Sequence, residues 1–275
     1  MTTAITSYDD KPVALPALKQ GKVDRVTGYL ETATGTWDLY RVFETISLWA
    51  QKCTLLDASQ RFLAEKTSQV MSVLGAGLSL PHLLIDGNGL KKSVEQLSLA
   101  NQLTEADPLR GKKITEAGKQ VFVKSMYFGT TFTMALNFFH ELKFVDFAKQ
   151  LPIINFFFNA TCLAADSVEL VDEVYKVSGY RSVKGESPEK MAEVQDKAWL
   201  AWVNIVKCVS SVALAVIGLA SLTTATAAVN PVLLSTSILG LSTTWLVAKI
   251  SSHFYKQTIE EKYCTVDKSL SLSRV

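Results

Sequence analysis

Apolar and polar positions recur along this chain with the spacing of helices. Between residues 23 and 52 the apolar positions return at steps of three and four, and charged residues fill the other faces. This pattern predicts amphipathic helices. Gly35 separates two of them, and Thr36 is the predicted N-cap of the second. One face of the second helix is aromatic and predicts insertion into a membrane surface, through Trp37, Tyr40, Phe43 and Trp49.

The longest apolar segment lies near the C-terminus. No charged residue occurs from 208 to 248, between Lys207 and Lys249, and a weakly apolar stretch at 223–231 interrupts the run. At a rise of 1.5 Å per residue, a helix of about 20 residues spans the roughly 30 Å hydrocarbon core of a bilayer. The two apolar halves therefore predict a transmembrane helical hairpin over 199–251.

The residues at the ends of this hairpin predict its orientation. Trp199, Trp202 and Trp245 stand where interfacial aromatic anchors are expected. Lysine and arginine occur before and after the hairpin but not in its turn, so both flanks are predicted to be cytosolic. Small residues in the two halves predict close helix packing and self-association: Ala213, Gly218, Ala220, Ser237, Gly240 and Ser242.

The middle of the chain has shorter apolar segments. The uncharged run 67–85 contains glycine and proline and predicts an amphipathic or shallowly embedded helix. The sequence Asp86-Gly87-Asn88-Gly89 predicts a turn, because glycine and asparagine tolerate positive φ. Apolar segments at 125–139 and 150–165 are each too short for a simple span and predict a pair of packed helices.

These patterns together predict an all-α integral membrane protein with N-terminal amphipathic helices and a C-terminal transmembrane hairpin. Its predicted segments are a flexible N-terminal tail (1–19), an amphipathic helical region (20–120), an apolar helical pair (121–177), a charged loop (178–198), the hairpin (199–251) and a cytosolic tail (252–275).

Composition and charge narrow the function classes. Hydrophobic residues make up 48% of the chain, which exceeds the soluble norm yet leaves part of the protein in water. Lys+Arg 28 against Asp+Glu 26 gives no electrostatic case for nucleic-acid binding. The N-terminus lacks the basic and apolar regions of a secretory signal. The four cysteines are far apart, and we interpret them as structural.

Catalytic and cofactor motifs are not found. The three histidines share no spacing that would place two of them on one helical face with a carboxylate, so no metal site is predicted. No glycine-rich nucleotide loop and no nucleophile elbow occurs. The glycosylation pattern at Asn159 lies among phenylalanines and is interpreted as chance. We therefore expect a protein that is not an enzyme and has no cofactor.

Two segments carry a resemblance to a known family. They are Val23-Asp-Arg-Val-Thr-Gly-Tyr-Leu-Glu-Thr-Ala-Thr-Gly35 and Leu39-Tyr-Arg-Val-Phe43, followed by the same order of amphipathic, apolar and charged segments and by Thr236-Ser-Ile-Leu-Gly240. The chain resembles the peroxin-eleven family of peroxisomal membrane-elongation proteins. The resemblance implies a peroxisomal membrane location, homo-oligomers and partners in the fission machinery. The hairpin is also similar to those of bacterial inclusion-membrane proteins, which leaves another organelle or a vacuole membrane open.

The function expected from the sequence is membrane shaping, in which amphipathic-helix insertion and self-association elongate or remodel an organelle bilayer. Two alternatives remain open. One is a small-solute channel or transporter component, which charged residues inside the membrane would favour and which the charge-free run 208–248 does not support. The other is an inclusion-membrane scaffold that recruits cytosolic partners.

Overall fold

The structure is a computed structural model that describes residue 29 and residues 32–103, 110–183, 187–223 and 230–272, with backbone alone from 264 onward. The described residues form seven helices. They are α1 (Ala33–Lys52), α2 (Ala58–Gly77), α3 (Ser79–Asn101), α4 (Arg110–Glu141), α5 (Leu151–Ser182), α6 (Pro188–Ser221) and α7 (Pro231–Leu272).

Local sequence signals start these helices. Thr32 caps α1 by accepting a hydrogen bond from the Gly35 amide at 2.9 Å. Asp57 and Gln60 form a reciprocal capping box at the start of α2. Ser187 caps α6, whose first residue is Pro188. Proline suits that position because its missing N–H would have no partner in the first turn.

Most helices that follow one another pack side by side in opposite directions, whereas α2 and α3 continue one another along the segment Ala58–Asn101, with only Leu78 between them. Contacts between α4 and α5 run from Asn137 with Asn155 to Tyr127 with Asp166, so one helix ascends as the other descends. The same holds for α5 against α6 and for α6 against α7. The last helix returns to the first, since the Trp49 indole N–H donates to the Thr243 hydroxyl at 3.0 Å. The first and last helices are therefore neighbours, and α1 lies along α7.

Four segments of the described residues are long and apolar enough to cross a membrane: Ala58–Asn101, Leu151–Ser182, Pro188–Ser221 and Pro231–Tyr263. Large apolar side chains lie on the outside of the bundle. Along α6, Trp199 is 60% exposed, and Trp202, Val206, Val209 and Val216 are exposed on the same side. Carboxylates are buried inside instead, among them Asp38 and Asp166. Such an exterior suits lipid rather than water. The predicted all-α fold is confirmed for the described residues, and four of their helical segments have the length and apolar composition of membrane spans.

The turn predicted at residues 86–89 is wrong, because these residues lie inside α3. This part of α3 packs against α4. A Cβ atom on Gly87 would make an ordinary contact with the Phe128 ring at 3.4 Å, and one on Gly89 would contact Lys124 at 3.8 Å. The Asp86 carboxylate accepts a hydrogen bond from the Thr131 hydroxyl at 2.6 Å.

Several predicted boundaries also differ from the structure. Gly35 and Thr36 lie within the first turn of α1, and Thr32 is the N-cap. Most of the predicted loop 178–198 is helical, since α5 continues to Ser182 and α6 begins at Pro188. The predicted tail 252–275 extends α7 as helix to Leu272. The predicted N-terminal tail, 1–19, lies outside the described residues.

Candidate functional site

A cavity of about 500 Å³ lies inside the bundle. Its walls come from α1, α3, α4, α5, α6 and α7, so nearly the whole chain contributes to it. Five of the lining residues are formally charged, namely Arg41, Glu44, Asp166, Lys207 and Lys249. Most of the remaining wall is apolar or carries a single hydroxyl. A largely apolar pocket with a few convergent polar groups is the usual form of a small-molecule site.

The first charged cluster joins α1 to α7. Asp38 is 1% exposed, and its Oδ1 accepts a hydrogen bond from the Lys249 ammonium at 2.6 Å. Its Oδ2 accepts a second bond from the Tyr29 hydroxyl. The ammonium also lies 4.3 Å from the ring centroid of Trp37 and 5.3 Å from that of Trp245. We call Asp38, Lys249, Tyr29, Trp37 and Trp245 the Asp38 cluster, and in it the buried carboxylate and ammonium neutralise each other.

Tyr29, the second donor to Asp38, is held in its protonated form. Burial raises the pKa of the Tyr29 phenol, and its hydrogen bond to Asp38 and the negative charge of that carboxylate raise it further. The phenol therefore stays protonated and donates to the carboxylate at neutral pH. The His253 ring stacks against Tyr29, with 4.2 Å between the ring centroids.

The second charged cluster joins α4, α5 and α6. Asp166 is 5% exposed, and its Oδ1 accepts a hydrogen bond from the Tyr127 hydroxyl at 3.0 Å. Its Oδ2 accepts another from the Ser211 hydroxyl at 2.5 Å. No ion pair to Asp166 forms among the described residues, since the neighbouring Lys207 ammonium pairs with Glu169 at 3.3 Å. We call Asp166, Tyr127, Ser211, Lys207 and Glu169 the Asp166 cluster.

One group of side chains beside this cluster has ligand atoms close enough for a metal ion. The carboxylates of Asp166 and Glu169 and the Cys208 thiol place one such atom each within 4.8 Å of one another. Lys207 already supplies a positive charge to Glu169, and the Cys208 sulfur lies 4.0 Å from the same carboxylate oxygen. The local charge is therefore partly balanced by the chain itself, unlike the all-acid or thiolate sets that hold metals.

Two further features complete the wall. Arg41 pairs with Glu44 at 2.6 Å and lies 5.0 Å from the Trp37 ring centroid. Ser79 is 1% exposed, and its hydroxyl oxygen is buried with no hydrogen-bond partner. A buried hydroxyl without a partner costs free energy, which a polar group inside the cavity would recover.

The four aromatic residues predicted as an inserting face point in different directions. Trp37 lines the cavity, Tyr40 is half-buried, and Phe43 and Trp49 are 46% and 41% exposed. Among the predicted anchors, Trp199 and Trp202 are exposed, whereas Trp245 lines the cavity and meets Trp37 edge to face at 5.8 Å.

The small residues of the predicted hairpin are likewise divided. Ala213 and Ala220 are half-buried, and Ser237 is exposed. Ser242 lines the cavity. Gly218 packs within the chain, because a Cβ there would lie 2.2 Å from Asn159 Oδ1 of α5. A Cβ on Gly240 would meet nothing within 4 Å.

Sequence reasoning did not predict Asp38, Tyr127, Asp166 or Ser211 as site residues. It also treated Lys207 and Lys249 only as the limits of an apolar run. For Asp166, Lys207 and Lys249, the one signal in the sequence is a charge at the edge of an otherwise apolar segment. No protein family, curated protein or solved structure matches the chain.

Proposed function

We propose that this protein is a membrane-embedded helical bundle that binds a small polar solute in its central cavity, as a channel or transporter component does. The observation that carries the proposal is the contrast between interior and exterior. Charged side chains from α1, α5, α6 and α7 meet at the cavity, while many large apolar side chains lie exposed on the outside of the bundle. Ionisable residues inside membrane proteins characteristically mark solute or ion pathways.

The cavity supplies the polar lining that the charge-free run 208–248 lacks. The charge-free run 208–248 gave no support to a solute pathway, because a hairpin alone would have no polar lining. In the bundle, α1 supplies Arg41 and Glu44, α5 supplies Asp166, and Lys207 and Lys249 line the cavity from the ends of the run. These contributions support a polar site built by several helices around an apolar hairpin.

A matched pair of substitutions on α7 tests this proposal. Ser242→Trp would fill part of the cavity, whereas Ser237→Trp places the same ring on an exposed position of the same helix. The full chain in lipid nanodiscs would be screened by thermal unfolding against small organic cations, carboxylates and neutral polyols. We expect at least one class to raise the melting temperature of the wild type and of Ser237→Trp but not of Ser242→Trp. The proposal would be contradicted if no solute class stabilised the wild type, or if a solute stabilised Ser237→Trp and Ser242→Trp equally.

The positions of cations favour one orientation. The end formed by the α3–α4 and α5–α6 connections carries Lys91, Lys92, Arg110, Lys112, Lys113, Arg181, Lys190 and Lys197, and the opposite end carries Lys52, Arg61, Lys66, Lys143 and Lys149. By the positive-inside rule the first end is cytosolic. This agrees with the orientation predicted for the hairpin.

Single cysteines in a cysteine-free background test the orientation. A cysteine at Ser187 should react with an impermeant maleimide from the cytosolic side, and one at Asn230 only from the opposite side. Ser187 and Asn230 lie at the starts of α6 and α7, on opposite ends of the hairpin. Labelling of both from one side would show that these helices do not both cross the membrane.

Membrane shaping, with the peroxisomal location that the resemblance implies, is the second candidate. It is favoured by the outward apolar stripe of α1, formed by Phe43, Ile46 and Trp49. It ranks second because α1 lies along α7 and holds the buried Asp38, so its inner face is fixed within the bundle.

Phe43→Glu should lower membrane affinity by at least about 2 kcal/mol and reduce vesicle tubulation. Lys66→Glu on exposed α2 is the control, and equal tubulation by wild type and Phe43→Glu would contradict this candidate.

A further inference from the structure

One charged group of the cavity wall has no ion-pair partner among the described residues. Among the described residues, Arg41 pairs with Glu44, Lys249 with Asp38 and Lys207 with Glu169. The one remaining charged group of the wall is Asp166, which accepts hydrogen bonds only from hydroxyls. Of the five charged wall residues, Arg41, Lys207 and Lys249 are cations and Glu44 and Asp166 are carboxylates, and only Asp166 has no ion-pair partner among the described residues.

Hydroxyl partners satisfy the oxygens of Asp166 but do not neutralise its charge. An ionised carboxylate inside an apolar bundle carries a large desolvation cost, which a nearby positive charge reduces. A purely structural link between α4, α5 and α6 would not need that charge, because a neutral asparagine could accept one hydroxyl bond at its oxygen and donate to the other hydroxyl oxygen from its NH2 group. The charge itself therefore points to a cationic ligand.

The size and lining of the cavity select the kind of cation. Its volume of about 500 Å³ far exceeds the roughly 30 Å³ that one water molecule occupies, and thus the room that a bare metal ion needs. Tyr127, Phe158, Met134 and Leu214 provide aromatic and apolar surface on the same wall. Aromatic faces attract organic cations, and apolar walls bury their carbon skeleton. The partnerless Ser79 hydroxyl offers one more polar contact inside the cavity.

We propose that the cavity binds a small organic monocation, with its ammonium group against the Asp166 carboxylate and its apolar part against Tyr127, Phe158 and Leu214. This inference rests on the proposed function and names the class of solute. The ligand replaces no existing ion pair. It gives the Asp166 carboxylate the opposite charge that Glu44, Asp38 and Glu169 already have in their ion pairs.

A charge series of probes tests the inference. Phenethylammonium, 2-phenylethanol and 3-phenylpropionate have similar size but carry a positive, zero and negative charge. Their binding to the full chain in nanodiscs would be measured by isothermal titration calorimetry in the presence of a chelator. We expect the ammonium probe to bind at least about tenfold more tightly than the alcohol, and the carboxylate to bind most weakly.

Variants of α5 locate the charge that is responsible. Asp166→Asn should reduce affinity for phenethylammonium to that for the alcohol. The matched control Asp172→Asn, on the same helix and paired with Lys119 at 2.8 Å, should leave it unchanged. If Asp166→Asn does not fold, the tenfold preference of the wild type for the cation decides the question.

The outcomes separate this inference from the proposed function. Equal binding of the ammonium and the alcohol, or unchanged ammonium binding by Asp166→Asn, would overturn the ammonium inference while leaving solute binding intact. Stabilisation by Zn²⁺ without ammonium binding would overturn it in favour of a metal ion at Asp166, Glu169 and Cys208. Failure of all three probes would overturn it too, and failure of the Ser242→Trp and Ser237→Trp comparison would then remove the proposed function as well.

Discussion

Two buried carboxylates border the same cavity but have different partners. Asp38 is closed by an ammonium group at 2.6 Å and by a phenol, and its charge is neutralised within the protein. Asp166 is held by two hydroxyls, and its charge is not. The difference indicates that the two clusters have different roles. The Asp38 cluster fixes α1 against α7, whereas the Asp166 cluster holds three helices together through neutral donors and keeps a negative charge available.

The largest expected effect comes from breaking the first cluster. Lys249→Met leaves Asp38 buried without its cation, and removal of one partner from a buried ion pair typically costs about 3–5 kcal/mol. Unfolding in detergent should show this loss. Lys256→Met, which removes an exposed pair to Glu260 at 3.9 Å, should cost no more than about 0.5 kcal/mol.

The double variant Asp38→Asn with Lys249→Met sharpens this result. Because the two residues act as a unit, its cost should be smaller than the sum of the two single costs. Strict additivity would mean that the buried pair is not coupled and would remove the contrast with Asp166.

A medium effect is expected at the wall that carries Asp166. Gly218→Ala places a Cβ at 2.2 Å from Asn159 Oδ1 and displaces that side chain, which donates to the Asn155 carbonyl at 2.7 Å. Gly240→Ala adds the same methyl group where nothing lies within 4 Å. Helix propensity favours both changes equally, so the difference between the two variants isolates packing. We expect Gly218→Ala to be less stable than Gly240→Ala by about 1–3 kcal/mol.

Cross-linking of the same two variants in native membranes tests self-association separately. Gly240 is the more accessible of the two glycines to a second copy, since Gly218 is already packed against α5. Loss of oligomers in Gly218→Ala alone would contradict this assignment.

The smallest expected effect on stability comes from Asp166→Asn. The amide oxygen can still accept from the Tyr127 hydroxyl, and the amide NH2 group can donate to the Ser211 hydroxyl oxygen once that hydroxyl rotates. We therefore expect the free energy of unfolding to change by less than about 1 kcal/mol without ligand. Thermal unfolding of the unliganded chain would measure this. A loss as large as that of Lys249→Met would show that both clusters are structural and would erase the distinction between them.

Helix formation was largely predictable from the sequence because it depends on near neighbours. The apolar halves of 199–251 and the exposed Trp199 and Trp202 follow from residues only a few positions apart, whereas the helix start at Ser187 was missed within the predicted loop 178–198. The turn predicted at 86–89 was wrong for a reason that is not local. Gly87 and Gly89 lie beside Phe128 and Lys124 of α4, and the composition of the segment alone does not reveal this packing.

The sequence by itself determined that the chain is helical and has apolar segments long enough to span a membrane. Only the tertiary structure decided which charges meet, because Asp38 and Lys249 are 211 positions apart and Tyr127 and Asp166 are 39 apart. Periodicity can show that a helix has an apolar face. In a membrane bundle that face can meet lipid or another helix, so the pattern does not say which side is the interior. The cavity, with the Asp166 carboxylate in its wall, exists only once α1 and α3 to α7 are packed together.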